Sequence, residues 1–304
     1  MKSKWNTRYW VVTIVLAGCV QVFAEPFAKG PYLGQTPPGS TAKVFAPGLI
    51  CDTRPQKWES HGTFSMDGRV FLYLREMTYY LTENTDEGWT TPMPMTGIEG
   101  ELMWSPKISP DGNSIYYSNK NLMKIDRTPQ GWTAPKNLGP PLSSLANEWG
   151  LSVAADNSIY FCSHREGGCG GCDIWFAPYR DGTWSQACNI EAVNTSYGEC
   201  SPGIAPDESF MVFHSNRPGG LGKTDLYLTL RNPDGSWSPP RNLGPNINSP
   251  DLDCGAYISP DKKYLFYTRS TGWDPRIHTA DIYWVALKTY LPDTNDSHLV
   301  SKKK

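Results

Sequence analysis

Ala205-Pro206-Asp207-Glu208 leads into Phe210-Met211-Val212-Phe213-His214, and this pairing of a tight turn with a strand-like run decides the fold because it occurs five times. The other turns are Ser65-Met66-Asp67-Gly68, Ser109-Pro110-Asp111-Gly112, Ala154-Ala155-Asp156-Asn157 and Ser259-Pro260-Asp261-Lys262. The runs that follow them are Val70–Leu74, Ser114–Ser118, Ser158–Cys162 and Tyr264–Thr268. Proline fixes φ, aspartate accepts local backbone N–H groups, and glycine supplies a left-handed φ, so each quartet reads as a turn. The turn aspartates are 44, 45, 51 and 54 residues apart, a spacing that points to a repeat architecture.

Each unit continues in the same order. A loop follows the run, and in three units the next strand opens with aspartate: Asp173-Ile174-Trp175, Asp225-Leu226-Tyr227 and Asp281-Ile282-Tyr283. A second turn then carries tryptophan: Gly88-Trp89-Thr90, Gly131-Trp132-Thr133, Gly182-Thr183-Trp184-Ser185 and Gly235-Ser236-Trp237-Ser238. These turns are expected to open a fourth strand whose tryptophan packs on the neighbouring unit. Four short strands repeated in series predict the blades of a β-propeller, in which each sheet covers its neighbour's apolar face and ring closure protects the edges.

The fold expected is therefore all-β, a five-bladed β-propeller with four antiparallel strands per blade, spanning residues 57–292. Its blades read as 57–98, 99–144, 145–195, 196–249 and 250–290. The fifth lacks the tryptophan turn, so its outer strand is expected from Ala42–Ala46 in an N-terminal extension (residues 25–56), which closes the ring. The alternative is six blades, the sixth built from residues 30–56, a segment short for four strands. The polar tail, residues 293–304, is expected to be disordered.

Composition agrees with an all-β chain. Of 304 residues, 28 are glycine and 26 proline, with 12 tryptophans and 16 tyrosines, which favours many turns and aromatic strands. A net charge of −2 supplies no field for nucleic acid. Residues 1–24 read as an export signal, with Lys2, Lys4 and Arg8 ahead of a short apolar run. Leu16-Ala17-Gly18-Cys19 fits a lipobox, leaving Cys19 lipidated. Val22-Phe23-Ala24 fits ordinary cleavage before Glu25. Both readings put the mature chain outside the cytoplasm, periplasmic, secreted or on the outer membrane, with membrane contact only through the N-terminal lipid.

The residues Glu199-Cys200-Ser201-Pro202, Ala205-Pro206-Asp207, Ser215-Asn216-Arg217-Pro218-Gly219-Gly220 and Asp225-Leu226-Tyr227 resemble the WD40-like β-propeller repeat family, the repeat of TolB-type periplasmic proteins. The resemblance covers about residues 57–290 and implies a propeller in an envelope setting. It leaves function open, because one fold hosts many functions. The second blade departs from it, lacking the Ser-Asn-Arg and Asp-Ile-Tyr landmarks.

Eight residues before the turn aspartates stand Glu59, Met103, Glu148, Glu199 and Asp253, four of them carboxylates, expected at the mouth of the central channel. Arg165, Arg217 and Arg269 follow the second strands on the same face. These seven charged residues are the candidate ligand-binding set, for a protein or glycan partner in the envelope. The structural alternative is that each carboxylate pairs with an arginine or caps backbone amides within its own blade. No cofactor is expected beyond a divalent cation on an oxygen-rich ring. His61, His164 and His278 are weak candidates for a transition-metal site. Cys169, Cys172, Cys200 and Cys254 are disulfide candidates, with pairing undetermined. Trp104, Trp149 and Trp273 are expected in inter-blade packing, with sugar stacking as the alternative.

The sequence has no Gly-rich phosphate loop, Gly-x-Ser-x-Gly elbow or His-Glu-x-x-His helix. The function expected is a non-enzymatic exported binding module. A metal-dependent polysaccharide lyase or hydrolase is the runner-up, and a structural envelope component is the third reading.

Overall fold

Five four-stranded antiparallel sheets surround a central channel in the computed structural model, which describes residues 26–292 except Thr53, Pro55, Gln56, Glu99 and Leu102. From the channel outwards, blade 1 is Glu59–Phe64, Val70–Arg75, Thr78–Thr85 and Met93–Pro94. Blade 2 is Trp104–Ile108, Ser114–Asn119, Asn121–Thr128 and Lys136–Asn137. Blade 3 is Glu148–Val153, Ile159–Ser163, Asp173–Ala177 and Cys188–Asn189. Blade 4 is Glu199–Ile204, Phe210–Ser215, Asp225–Leu230 and Arg241–Asn242. Blade 5 takes Leu252–Ile258, Tyr264–Ser270 and Ala280–Ala286 from the C-terminal part of the chain.

The fourth strand of blade 5 is Lys43–Val44, pairing antiparallel with Trp284 and Tyr283, so the N-terminal extension closes the ring as expected. Six blades are excluded, because residues 30–52 form one 3-10 turn (Pro31–Gly34) and that single strand. Phe45 follows it into the seam and is fully buried. Its ring meets Phe71 of blade 1 at 5.4 Å, and Phe266 and Trp284 of blade 5 at 5.1 and 5.2 Å. The seam where the ring shuts is thus filled with aromatic surface rather than held by strand pairing alone.

The five turns share one geometry. The residue after each aspartate is left-handed: Gly68, Gly112, Asn157, Glu208 and Lys262 have φ of 72°, 75°, 71°, 58° and 58°. Its N–H donates to the carbonyl three residues back, as Gly112 does to Ser109. The aspartate carboxylate accepts the N–H two residues on, as Asp111 does from Asn113. Glycine at the first two positions meets a conformational demand, which Asn157 also tolerates.

The tryptophan turns differ from expectation in one respect. Gly88–Trp89 and Gly131–Trp132 form small ribbons on the end of the third strand, and the fourth strand proper lies a few residues further on. A ribbon of two residues turns back on its own strand before the chain can reach the outer edge. The packing role holds for two of the rings, each lying edge-on to a tyrosine of the preceding blade. Trp184 meets Tyr116, and Trp237 meets Tyr160. Trp89 instead anchors the N-terminal extension, its indole N–H donating to the Gly30 carbonyl at 2.7 Å. The leader, Cys19 and the 293–304 tail lie outside the described residues.

Candidate functional site

Every innermost strand is broken at the channel mouth by a β-bulge with one extra residue. Its left-handed residue is His61, Ser105, Gly150, Ser201 or Gly255, at φ of 57°, 49°, 39°, 47° and 64°. A non-glycine residue at such a φ is strained, and strain of this kind concentrates where backbone is bent to re-aim side chains. The bulges stand two residues after Glu59, Met103, Glu148, Glu199 and Asp253 and interrupt the alternation of the strand.

The carboxylates lie within their blades, not in the channel. Glu59, Glu148, Glu199 and Asp253 have no accessible surface. Arg165 Nη2 lies 3.1 Å from Glu148, Arg217 Nη2 3.0 Å from Glu199, and Arg269 Nε 2.7 Å from Asp253. Arg75 Nε approaches Glu59 at 3.3 Å. Each arginine also ties down the link entering its blade. Arg217 donates to the Val193 carbonyl, Arg269 to that of Ile247, and Arg165 to Pro141 and Leu142. A hydroxyl residue four before the carboxylate completes the clasp, with Ser144, Thr195 and Ser249 donating both N–H and O–H.

The structure thus places Glu59, Glu148, Glu199, Asp253, Arg165, Arg217 and Arg269, the candidate ligand-binding set, off the wall of the mouth cavity, with the four carboxylates fully buried. Glu148, Glu199 and Asp253 are each paired with an arginine and hydrogen-bonded inside their own blade, as the structural alternative expects. In blade 2 the clasp is replaced by Met103, buried among apolar side chains. Glu59 is the weakest member. Neither oxygen accepts a hydrogen bond, and burial raises its pKa to about 7 against the opposing pull of Arg75.

The residues that do face the mouth line a cavity of about 630 Å³. Four indoles surround it: Trp58, Trp104, Trp149 and Trp273. His61, His164 and His214 contribute imidazoles, Cys172, Cys200 and Cys254 sulfur, and Ser105, Ser201, Thr268 and Ser270 hydroxyls. Burial, aided by Lys107, lowers the His61 pKa to about 3, and burial lowers that of His214 to about 4. Both rings are neutral at pH 7, each with one donor and one acceptor nitrogen. His61 Nδ1 meets Ser60 Oγ at 2.9 Å. His214 Nδ1 is buried without a hydrogen-bond partner. Below the cavity the channel narrows to about 20 Å³ beside Lys107, whose pKa burial lowers to about 7.

The seams between blades converge on the same ring. Ser118 Oγ accepts the Gly150 N–H at 3.1 Å, and Thr268 Oγ1 accepts the His61 N–H at 3.2 Å. Cys162 of blade 3 is disulfide-bonded to Cys200 of blade 4. Ser118, Cys162, His214 and Thr268 occupy one equivalent position, each facing the residue before a bulge in its own blade.

Of the cysteine expectations, only Cys200 is bridged, and to Cys162, which lies on the second strand rather than in a loop. Cys169, Cys172 and Cys254 carry free thiols. The proposed histidine cluster is not assembled. His61 and His164 line the main cavity, whereas His278 lines an adjoining groove of about 460 Å³ with Lys223. Among the described residues, Cys162, Cys172 and Cys200 are the one grouping of three side chains close enough to share a metal. His214 was not singled out from sequence. Its signal is that imidazole stands where blades 2, 3 and 5 have serine, cysteine and threonine and blade 1 has Leu74.

No family model matches the chain and no curated protein matches it. Solved propellers are similar at low identity. A TolB-type protein from Agrobacterium tumefaciens is 17% identical, aligning over 73% of this chain and 72% of its own, with a TM-score of 0.47. TolB from Acinetobacter baumannii is 14% identical over 75% of this chain, with a TM-score of 0.46; the chain spans 57% of its length. An oligogalacturonate lyase in complex with manganese is 14% identical over 88% and 99%, with a TM-score of 0.42. The chain is similar to these proteins in fold alone.

Proposed function

We propose that this protein is an envelope binding module that takes a neutral saccharide into the mouth of its propeller. The observation that carries the reading is the lining of the 630 Å³ cavity. Four indoles, the neutral imidazoles of His61 and His214 and four hydroxyls line it, and no carboxylate, ammonium or guanidinium is among its described lining residues. Its volume suits a small ligand rather than a protein surface. Indole faces cover the C–H faces of a pyranose, while imidazole and hydroxyl groups exchange hydrogen bonds with sugar hydroxyls. An anionic sugar entering here loses its hydration with no cation on the cavity wall to meet it. That cost, and the separation of His278 from His61 and His164, weigh against a metal-dependent lyase acting on uronates. The export signal read in residues 1–24 supports the envelope setting.

The test is capture on an array of neutral and acidic oligosaccharides by the mature chain. Binding to neutral glycans is expected, falling more than tenfold in Trp104→Ala/Trp149→Ala and persisting in Glu148→Gln. No neutral glycan captured, or capture indifferent to both tryptophans, overturns the reading.

A further inference from the structure

The sulfurs of Cys162, Cys172 and Cys200 lie within 4.8 Å of one another. They come from three separate places: the second strand of blade 3, the end of its following loop, and the innermost strand of blade 4. Backbone bonds hold them there. Glu199 N–H donates to the Cys172 carbonyl at 2.8 Å, Gly171 N–H to that of Tyr197 at 3.2 Å, and Cys172 pairs in parallel with Gly198. The Asp173 carboxylate accepts the Cys169 and Gly170 N–H groups and fixes the loop from below. A Cβ on Gly170 would lie 2.3 Å from the Thr195 carbonyl oxygen, so the loop is seated tightly on blade 4.

In the structure Cys162 and Cys200 share a disulfide, and Cys172 is a third sulfur beside it with no bond of its own to make. Inter-blade bridging needs two cysteines, not three. Four thiolates or imidazoles around zinc stand about 3.8 Å apart for metal–sulfur bonds of about 2.3 Å, which the triangle accommodates. Cys172 and Cys200 both line the mouth cavity, which leaves one side of the triangle open. Cys169 is exposed and outside the triangle, so the Cys-x-x-Cys spacing is not what assembles it.

We propose that, once the Cys162–Cys200 disulfide is reduced, the three cysteines form a binding site for a single Zn²⁺, with the fourth position facing the mouth cavity. The disulfide becomes two thiols by taking two electrons and two protons from an external dithiol, which is itself oxidised to a disulfide, or two electrons from a phosphine, which becomes the phosphine oxide while water supplies the oxygen and both protons. Zn²⁺ then displaces three protons from the three thiols, leaving a Zn(SR)₃ unit of charge −1. A divalent ion leaves −1 on the three thiolates where a monovalent soft cation leaves −2, and is the better occupant of this site. Disulfide and metal are alternative occupants of one site, so oxidation expels the ion.

The test uses the mature chain reduced with a phosphine, desalted and titrated with Cd²⁺ as the spectroscopic probe, then with Zn²⁺ in competition. One ion per chain is expected, with the charge-transfer absorbance of three thiolates. Cys172→Ser reduces that absorbance to two thiolates and weakens Zn²⁺ on the order of a hundredfold. Cys169→Ser and Cys188→Ser change neither. Cys172→Ser keeps the disulfide, so its oxidised melting temperature checks folding, and Zn²⁺ raises the melting temperature of the reduced parent more than that of the reduced variant at the same concentration. Absence of a thiolate band, a band unchanged in Cys172→Ser, or an equal loss in Cys169→Ser overturns the proposal.

Discussion

Arg217 Nη2 lies 3.0 Å from Glu199 Oε1, with the carboxylate wholly buried and the guanidinium plane over the rings of Phe213 and Tyr227. The same guanidinium donates to the Val193 carbonyl on the link from blade 3. One side chain therefore joins two strands of its blade to the chain that enters it. Glu199→Ala leaves the arginine without its counterion in a desolvated position. The expected cost is about 3 kcal/mol, read as a shift of the denaturant midpoint at constant slope.

Glu59 supplies the contrasting case, a carboxylate with no hydrogen bond to either oxygen and a pKa raised to about 7. An unfolded glutamate titrates near 4.3. Between about pH 4.3 and 7 the folded state binds the extra proton, so stability from this group falls as pH rises through that window. Glu59→Gln is expected to be more stable than the parent at pH 8 and indistinguishable from it below pH 4, in thermal melts across pH. A gap of constant size at all pH values assigns the charge no role.

Gly112 isolates the turn. Its φ is 75° and a Cβ there meets nothing within 4 Å, so Gly112→Ala has a conformational cost alone. That cost is expected at about 1 kcal/mol in chemical denaturation.

Phe45 tests ring closure. It sits between rings of the first and last blades, so Phe45→Ala is expected to cost about 3–5 kcal/mol. If the N-terminal extension closes the ring, loss of Phe45 speeds hydrogen exchange in Ala280–Ala286 before it does so in blade 3.

The turns and the second strands were legible because Pro, Asp and Gly at fixed offsets report local backbone demands, which act regardless of tertiary context; the closing strand was legible because the fifth unit lacks the tryptophan turn that the other four carry. The recurrent carboxylates were legible as equivalent chain positions, but their burial within the blades was not. A bulge beside each carboxylate changes which side chains reach the channel, and only Gly150 and Gly255 announce that bulge; His61, Ser105 and Ser201 adopt the same φ without a sequence mark. The Cys162–Cys200 bond joins neighbouring blades, a relationship that depends on how blades pack and not on any spacing along the chain. The same holds for His214, whose neutral buried imidazole follows from the enclosure around it.

The central claim is that an uncharged, indole-lined mouth selects an uncharged ligand. It is tested most directly by calorimetric titration of one captured neutral oligosaccharide against its uronate analogue of identical linkage. The neutral sugar is expected to bind at one site per chain and at least about tenfold more tightly, a difference of about 1.4 kcal/mol. Equal or tighter binding of the uronate contradicts the account.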